Sequence, residues 1–333
     1  MCSNSIIPEI YPIVVPMSSS LRSVNFYLAK NQNSLFLIDA GLDTEKCWNH
    51  FIDVLDENGF KLEDINKIIL THSHPDHTGL VNRILTMHEI PVFVNYDAIA
   101  RLTRDPVYLN KRIDFFQSLY EEMGCEERGE RQVEKLKKAA NKNDSQAIYG
   151  EIIPVAEGDM IEGFRVIDTP GHAPDHISFL HPESGIFIGG DHLIQHVSSN
   201  ALIEPDKQGE LIPSLQQYEQ SLLKCLNLSL SVVYPGHGEI VRAPDELIKK
   251  RLEGLESKSE KIKNIIADVP YSAAQIAQIF YKEKYDSEFS LVMSEIVGHL
   301  DRLETLGEIA RMKKENLLYY YAYETATAGK SDS

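Results

Sequence analysis

Within six residues, His72, His74, Asp76 and His77 read H-x-H-x-D-H in the window THSHPDHTG. Three imidazoles and a carboxylate are ligand types that borderline and hard divalent cations take, so the first chemistry on offer is metal binding. With 12 histidines and 50 acids among 333 residues, such a placing arises by chance in about two of every thousand chains. A solvated polar loop is the weaker reading. Further candidates follow in order: His172 in TPGHAPDH, Asp191 in IGGDH and His237 in YPGHGE. Singly, a histidine after a strand is more often a structural hydrogen-bonder than a ligand; three such places behind H-x-H-x-D-H reverse that expectation. Gly171, Gly189, Gly190, Gly236 and Gly238 stand beside them, as a crowded centre with close backbone approach requires.

Positioning these groups takes strands that end where the groups stand. Short apolar or alternating runs predict strands over 10–14, 24–29 and 35–39, then a helix over 44–58 closed by Gly59. A buried strand over 65–71 leads into the histidine loop, and a helix over 78–87 leaves it. Strands resume over 151–154, 164–168, 177–180, 185–188 and 231–234, nearly all running into a histidine or aspartate segment. Residues 101–148 break this alternation. Leu109, Ile113, Phe116, Tyr120 and Met123 recur at steps of three and four, marking an amphipathic helix over 108–123, and a highly charged helix is expected over 130–141. From Pro244 the pattern becomes Ile248, Leu252, Leu255, Ile262 and Ile266 on one helix. Ser272 then caps a short helix to Tyr281, a longer helix covers 289–306, and 308–312 with 317–322 form a hairpin. Helix, helix, hairpin is a winged-helix arrangement. The expected domains are therefore 1–243, with the helical insertion at about 101–148, a winged-helix-like 244–323, and a flexible tail over 324–333.

Length and composition bound the rest. The chain has 333 residues, 43% hydrophobic and 25% charged, enough for two domains with real cores. No apolar run approaches the roughly 20 residues of a membrane-spanning helix, and residues 1–16 lack the basic flank and cleavage site of a secretion signal. Cys2, Cys47, Cys125 and Cys225 contain no CxxC pair, which fits a reducing compartment, so a cytoplasmic location is expected. A net charge of -17 repels phosphate backbones, making nucleic acid a disfavoured partner. No Walker or GxGxxG loop is present.

IDAG at 38–41, THSHPDHTG at 71–79, TPGH at 169–172, GGD at 189–191 and PGHG at 235–238 resemble the five motifs of the metallo-β-lactamase superfamily, over the first ~240 residues. The resemblance implies an α/β fold, an αββα sandwich with a dinuclear metal centre on one edge. It implies one metal held by His72, His74 and His172, another by Asp76, His77 and His237, with Asp191 bridging and Asp39 orienting a ligand histidine. Two divalent ions are implied, zinc first, manganese or iron as alternatives. The implied reaction is hydrolysis by a metal-bridging hydroxide, with Asp76 also placed to guide a proton.

Branches of this superfamily differ around the bridging aspartate. Quorum-quenching lactonases carry a tyrosine three residues later, where this chain has Ile194. His192, His196 and Asn200 are the polar groups that could reach a substrate oxygen instead, and His196 is expected to donate to a developing oxyanion. Asp175 and His176 are expected to brace the loop from behind the ligands. The apolar face of the insertion is either core or the underside of a lid; as a lid, its Phe115, Phe116 and Tyr120 would line an acyl pocket.

The C-terminal region resembles the extension of the β-lactamase-like protein 2 subfamily, which includes an endoribonuclease. From Asp245 onward, however, 13 bases face 16 acids, net -3, and the helix that would enter a groove carries Glu295, Asp301 and Glu304 against Arg302. The expected function is hydrolysis of a small ester, thioester or lactone, with a metal-dependent endoribonuclease acting on single-stranded RNA as the alternative. The expected partner is a small-molecule substrate, with no nucleic acid and no membrane, and a second copy of the chain is a further candidate.

Overall fold

A computed structural model describes residues 7–32, 34–141 and 146–323; the expected tail over 324–333 lies outside them. The first sheet joins β1 (Glu9–Pro16), β2 (Ser23–Asn31), β3 (Ser34–Ile38), β4 (Ile65–Ile69), β5 (Val92–Asn95) and β6 (Ile152–Val155) in that order. Its first two pairings are antiparallel and the remaining three are parallel. The second sheet runs β11 (Val232–Pro235), β10 (Ile186–Gly190), β9 (Ile177–His181), β8 (Phe164–Asp168), β7 (Met160–Ile161).

The near-continuous apolar sequence of β2 and β3 follows from burial on both faces. Phe26, Leu28, Leu35 and Leu37 pack with Trp48, Phe51 and Leu55 of the helix Glu45–Glu57 and with Val81 and Ile84 of the helix Val81–Met87. The alternate residues Tyr27, Ala29, Phe36 and Ile38 pack with Phe164, Val166, Ile177, Phe179 and Ile188 of the second sheet. The helix Ser214–Leu226 lies against the end of β8, where Ser221 donates to the Pro170 carbonyl and Lys224 to that of Asp168, both at 2.8 Å. Helix, sheet, sheet, helix is the expected order of layers. The strand β5, the strand β7 and the helix Ser214–Leu226 were not predicted: the first two are very short, and the helix follows an irregular stretch that masks its start.

The chain divides into two compact units, Met1–Leu109 with Lys142–Ser199 and Gln217–Arg251, and Asn110–Asn141 with Asn200–Gln216 and Leu252–Ser333. This differs from the predicted boundaries. The insertion, expected inside the first domain, falls from Asn110 onward in the second unit. The reason is packing: Ile113, Phe116 and Tyr120 of the helix Pro106–Glu122, Met123 just after it, and Val133 of the helix Glu126–Asn141 share one core with Ile276, Val297, Leu300 and Tyr320. Phe116 and Tyr120 are only 5% and 4% exposed, and the Arg112 guanidinium stacks 5.0 Å from the Phe116 ring while pairing with Glu204. Of the two readings of this helix, core or lid, the pocket role for these two rings is therefore corrected: they are core. Phe115 is half-buried against the same core.

The rest of the second unit holds the helices Ala273–Tyr281 and Phe289–Thr305 and a sheet of β12 (Tyr271–Ser272), β14 (Leu317–Ala322) and β13 (Ile309–Lys314), with β14 central. Ser272 and Gln275 form the capping box that starts the first helix. The expected hairpin is β13 and β14, joined by the unpredicted short strand β12. Eleven of the seventeen residues of Phe289–Thr305 are buried, so most of its circumference is core. No helix among the described residues is long and apolar enough to cross a membrane.

Candidate metal centre

The loops after β4, β8, β10 and β11 bring the seven sequence-predicted ligands together, and the loop after β3 brings Asp39 behind them. Asp39, directly after β3, has a φ of 60°, a left-handed conformation uncommon outside glycine. Its carboxylate accepts from the Thr71 amide at 2.8 Å and the Thr71 hydroxyl at 2.8 Å, and lies 2.8 Å from His77 Nδ1. That contact turns His77 Nε2 inward. Two other histidines are oriented the same way: Thr71 Oγ1 lies 3.0 Å from His72 Nδ1, and the Ser23 carbonyl lies 2.7 Å from His237 Nδ1.

Three nitrogens then meet: His74 Nδ1 lies 2.9 Å from His72 Nε2 and 3.0 Å from His172 Nε2. Opposite them, His237 Nε2 lies 3.4 Å from Asp76 Oδ2, and His77 Nε2 lies 4.0 Å from Asp76 Oδ1. Asp191 faces both sides, with Oδ2 3.3 Å from His172 Nε2 and 3.2 Å from His237 Nε2, and Oδ1 3.4 Å from His77 Nε2. The groups His72/His74/His172, His72/His77/Asp191 and Asp76/His77/His237 each gather their ligand atoms within 4.8 Å. These groups could hold divalent cations.

The donor chemistry fits. His77 Nε2, His237 Nε2 and Asp191 Oδ1 are buried without a hydrogen-bond partner among the described residues, an arrangement that costs stability unless something binds there. Electrostatics agree. Burial works to lower the His77 pKa, but Asp191, Asp39 and Asp76 raise it well above the ordinary value. At His237, burial is likewise outweighed by Asp191, and the pKa rises to about 9. Asp191 is held well below the usual carboxylate range because His237 and His77 outweigh its burial. His72 and His74 are pushed well below the imidazole range by burial and neighbouring histidines. One half of the cluster thus draws protons that a cation would displace, and the other offers neutral nitrogen lone pairs.

His176 sits behind the ligands: its Nδ1 lies 2.8 Å from Thr169 Oγ1, and its Nε2 accepts from the Asp191 amide at 3.0 Å. Asp175 accepts from the Ser73 amide at 2.8 Å. Two glycines are required by space. A Cβ on Gly236 would lie 2.4 Å from Asp191 Oδ1, and one on Gly190, whose φ is 47°, would lie 2.8 Å from His176 Nε2.

Other candidates stand elsewhere. His196 Nε2 is engaged with the Ser20 carbonyl at 2.9 Å and its Nδ1 is buried, so the ring is already committed where an oxyanion donor was expected. His192 is fully buried with neither nitrogen partnered among the described residues, and burial lowers its pKa to about 3. Asn200, Phe115, Phe116 and Tyr120 belong to the second unit. Sequence reasoning missed Ser23, Asn25 and Tyr27, alternate residues on β2. Asn25 donates to the carbonyls of Pro235 (3.1 Å) and Gly238 (2.9 Å), Tyr27 to that of Pro235 (2.6 Å), and Ser23 Oγ accepts from the Gly238 amide at 3.0 Å. They pin the turn that carries His237. The signal was present as S-x-N-x-Y on an otherwise apolar strand.

The pattern of the family described as Metallo-beta-lactamase superfamily matches residues 20–237. "Probable metallo-hydrolase YqjP" from Bacillus subtilis is 32% identical over 94% of this chain and 97% of its own length. "Beta-lactamase-like protein 2 homolog" from Drosophila melanogaster is 24% identical over 94% and 92% of the two chains, and "Atrochrysone carboxyl ACP thioesterase" from Aspergillus fumigatus is 22% identical over 74% and 61%. The crystal structure of metallo-beta-lactamase family protein TTHA1429 from Thermus thermophilus superposes with a TM-score of 0.77, at 24% identity, over 94% of this chain and 98% of that one.

Proposed function

Since this chain belongs to the metallo-beta-lactamase superfamily and is a metal-dependent hydrolase, we propose that its cluster is a dinuclear centre that cleaves a small ester, thioester or lactone. His72, His74 and His172 would hold one divalent ion, and Asp76, His77 and His237 the other, with Asp191 serving both. The metal is proposed to be zinc, with manganese or iron as alternatives. Bound ions supply Lewis acidity toward the substrate carbonyl and lower the pKa of water. The protein's own part is orientation. Asp39, Thr71 and the Ser23 carbonyl hold the Nδ1 atoms of His77, His72 and His237, so each presents Nε2 without further reorganisation. Asp76 is more exposed than Asp191, at 26% against 7% for the side chains, and its carboxylate would take the proton that the attacking water loses and pass it to the leaving group as the acyl bond breaks.

The observation that carries this reading is the set of buried, unpartnered His77 Nε2, His237 Nε2 and Asp191 Oδ1 facing one another. A thioester substrate gains support from the thioesterase among the relatives. The endoribonuclease reading is disfavoured by the net charge of -17 and by a C-terminal helix buried over most of its surface; we read that helix and the adjoining hairpin as a winged-helix-like extension with a packing role. The test is one metal-analysed preparation assayed on acyl-thioesters, esters, lactones, phosphodiesters, β-lactams and single-stranded RNA. About two ions per chain and chelator-sensitive turnover of an acyl substrate are expected. Cleavage of RNA alone, or full activity with a single ion, overturns the reading.

A further inference from the structure

The loop over 192–199, directly after Asp191, is held by groups that take no part in the ligand cluster. Ser199 Oγ donates to the Asp191 carbonyl, and Tyr218 donates to the His192 carbonyl at 3.2 Å. The strongest hold comes from the helix Pro244–Ile265. There one terminal nitrogen of Arg251 donates to the carbonyls of Ile194 at 2.7 Å, Val197 at 2.9 Å and Gln195 at 3.1 Å. Three carbonyls share a nitrogen that carries two protons, so the loop is wrapped around a cation, and these are charge-assisted bonds. Arg251 Nε is buried without a partner among the described residues, so the bonds to this turn are all made by that one terminal nitrogen.

His196 lies within the wrapped segment. Its Nε2 meets the Ser20 carbonyl at 2.9 Å, and its ring occupies the space above Gly238, where a Cβ would come within 2.5 Å of it. Ser20 belongs to the β1–β2 turn, and Gly238 follows the candidate ligand His237. A continuous path therefore leads from Arg251 through the carbonyl turn to His196, and from there to the turn before β2 and the turn after β11.

We infer that Arg251 is a positioning residue for the hydrolysis: by gathering the carbonyls of Ile194, Gln195 and Val197 it fixes the loop after Asp191 and keeps His196 against Ser20 and Gly238. This rests on the hydrolase reading above. Removing the charge leaves three convergent carbonyls with no donor, so the loop opens while the ligands keep their own supports, Asp39, Thr71 and the Ser23 carbonyl. Lysine offers three protons to the same three acceptors and can substitute in part.

Full-length Arg251→Met and Arg251→Lys are compared with the parent by hydrogen exchange over 192–199, by metal content, and by kcat and KM on an S-acetyl thioester. Arg251→Met is expected to speed exchange in that segment at least about tenfold and to lower kcat about 10- to 100-fold, the scale of a small misplacement, with metal content kept. Arg251→Lys is expected to recover most of both. Exchange and kcat within twofold of the parent in Arg251→Met overturn the inference, as does a loss of metal in step with activity or a lysine variant no better than methionine. If Arg251→Met does not fold, a lysine variant with faster exchange confined to 192–199 and a matching fall in kcat supports the inference, and one with exchange raised throughout the chain overturns it. If the parent turns over no thioester, the thioester reading fails while the exchange comparison still decides whether Arg251 holds the loop.

Discussion

The two units treat their buried polar atoms in opposite ways. In the first, among the described residues, three unpartnered atoms of different residues meet at one point, His77 Nε2, His237 Nε2 and Asp191 Oδ1, while others such as Asn31 Oδ1, Arg165 Nε and Arg251 Nε stand apart from them. In the second, Gln216 Oε1 and His299 Nε2 are the buried side-chain atoms without a partner among the described residues. Several other polar groups of its core are joined into a seam. Ser259 Oγ lies 2.8 Å from His299 Nδ1 and accepts from Arg302 at 3.2 Å, and Arg302 also donates to Glu256 at 2.9 Å. An unsatisfied buried group costs about 1 to 3 kcal/mol. A fold that gathers several at one point gives up stability there, as expected of a binding site, whereas a paired seam contributes structure and leaves nothing free for a ligand.

The largest effect that tests this contrast is expected at Asp191. Its carboxylate faces three histidines, so Asp191→Ala should lower metal occupancy, measured by elemental analysis, and reduce turnover at least about 1000-fold, in line with losing a group that serves the whole centre. The metal-free protein should melt within a few degrees of its parent, because the group removed is a liability in the absence of a cation. A variant that retains both ions and near-parental turnover would mean the orphaned atoms of the first unit are structural after all.

Phe116→Ala tests the other side. The ring is 5% exposed, 5.5 Å from Tyr120 and under the Arg112 guanidinium, so truncation should destabilise the second unit by roughly 3 to 5 kcal/mol. A denaturant melt measures this. Metal content and the acyl-chain preference of the enzyme should not change. A parental midpoint together with a raised KM for long acyl chains would restore the pocket role that the sequence suggested for this helix.

How much could be read in advance follows from where each signal lies. The candidate cluster was legible because His72, His74, Asp76 and His77 lie within six residues, and because His172, Asp191 and His237 each stand beside glycine at a strand end. The strands showed through because burial on both faces leaves runs such as those of β2 and β3. What pins His237 was not legible: Asn25 reaches Pro235 and Gly238 across more than two hundred residues, and no local pattern encodes that distance. The amphipathic helix was placed nearly in full, yet its apolar face cannot state which core it will join, and it joined Ile276, Val297 and Leu300. His196 failed for a related reason. Its residue type suggested donation to a substrate, but the acceptor it meets is a backbone carbonyl, which every residue carries.

The smallest of the expected effects falls on the paired seam and depends on pH. Burial lowers the His299 pKa to about 3, with the charges of Lys258 and Arg302 adding to the shift. Those two groups come from the helix Pro244–Ile265 and from its own helix, and Ser259 Oγ on the former meets Nδ1. The native ring is therefore neutral throughout the range in which an unfolded histidine, with a pKa near 6.5, takes up a proton. Because the unfolded state binds more protons between these values, stability rises with pH there and is lost as pH falls. Above about pH 7 the group contributes no pH dependence. Between pH 7 and pH 5 it should cost about 2 kcal/mol, from the linkage relation. His299→Leu removes the titrating group and keeps an apolar side chain of similar reach, so its denaturant stability should fall less steeply over that interval by the same amount, even if its stability at pH 7 changes. Two parallel pH profiles would show that His299 is protonated in the native seam. Its partnerless Nε2 would then be a protonation site rather than the exception in a unit that otherwise pairs its buried polar groups.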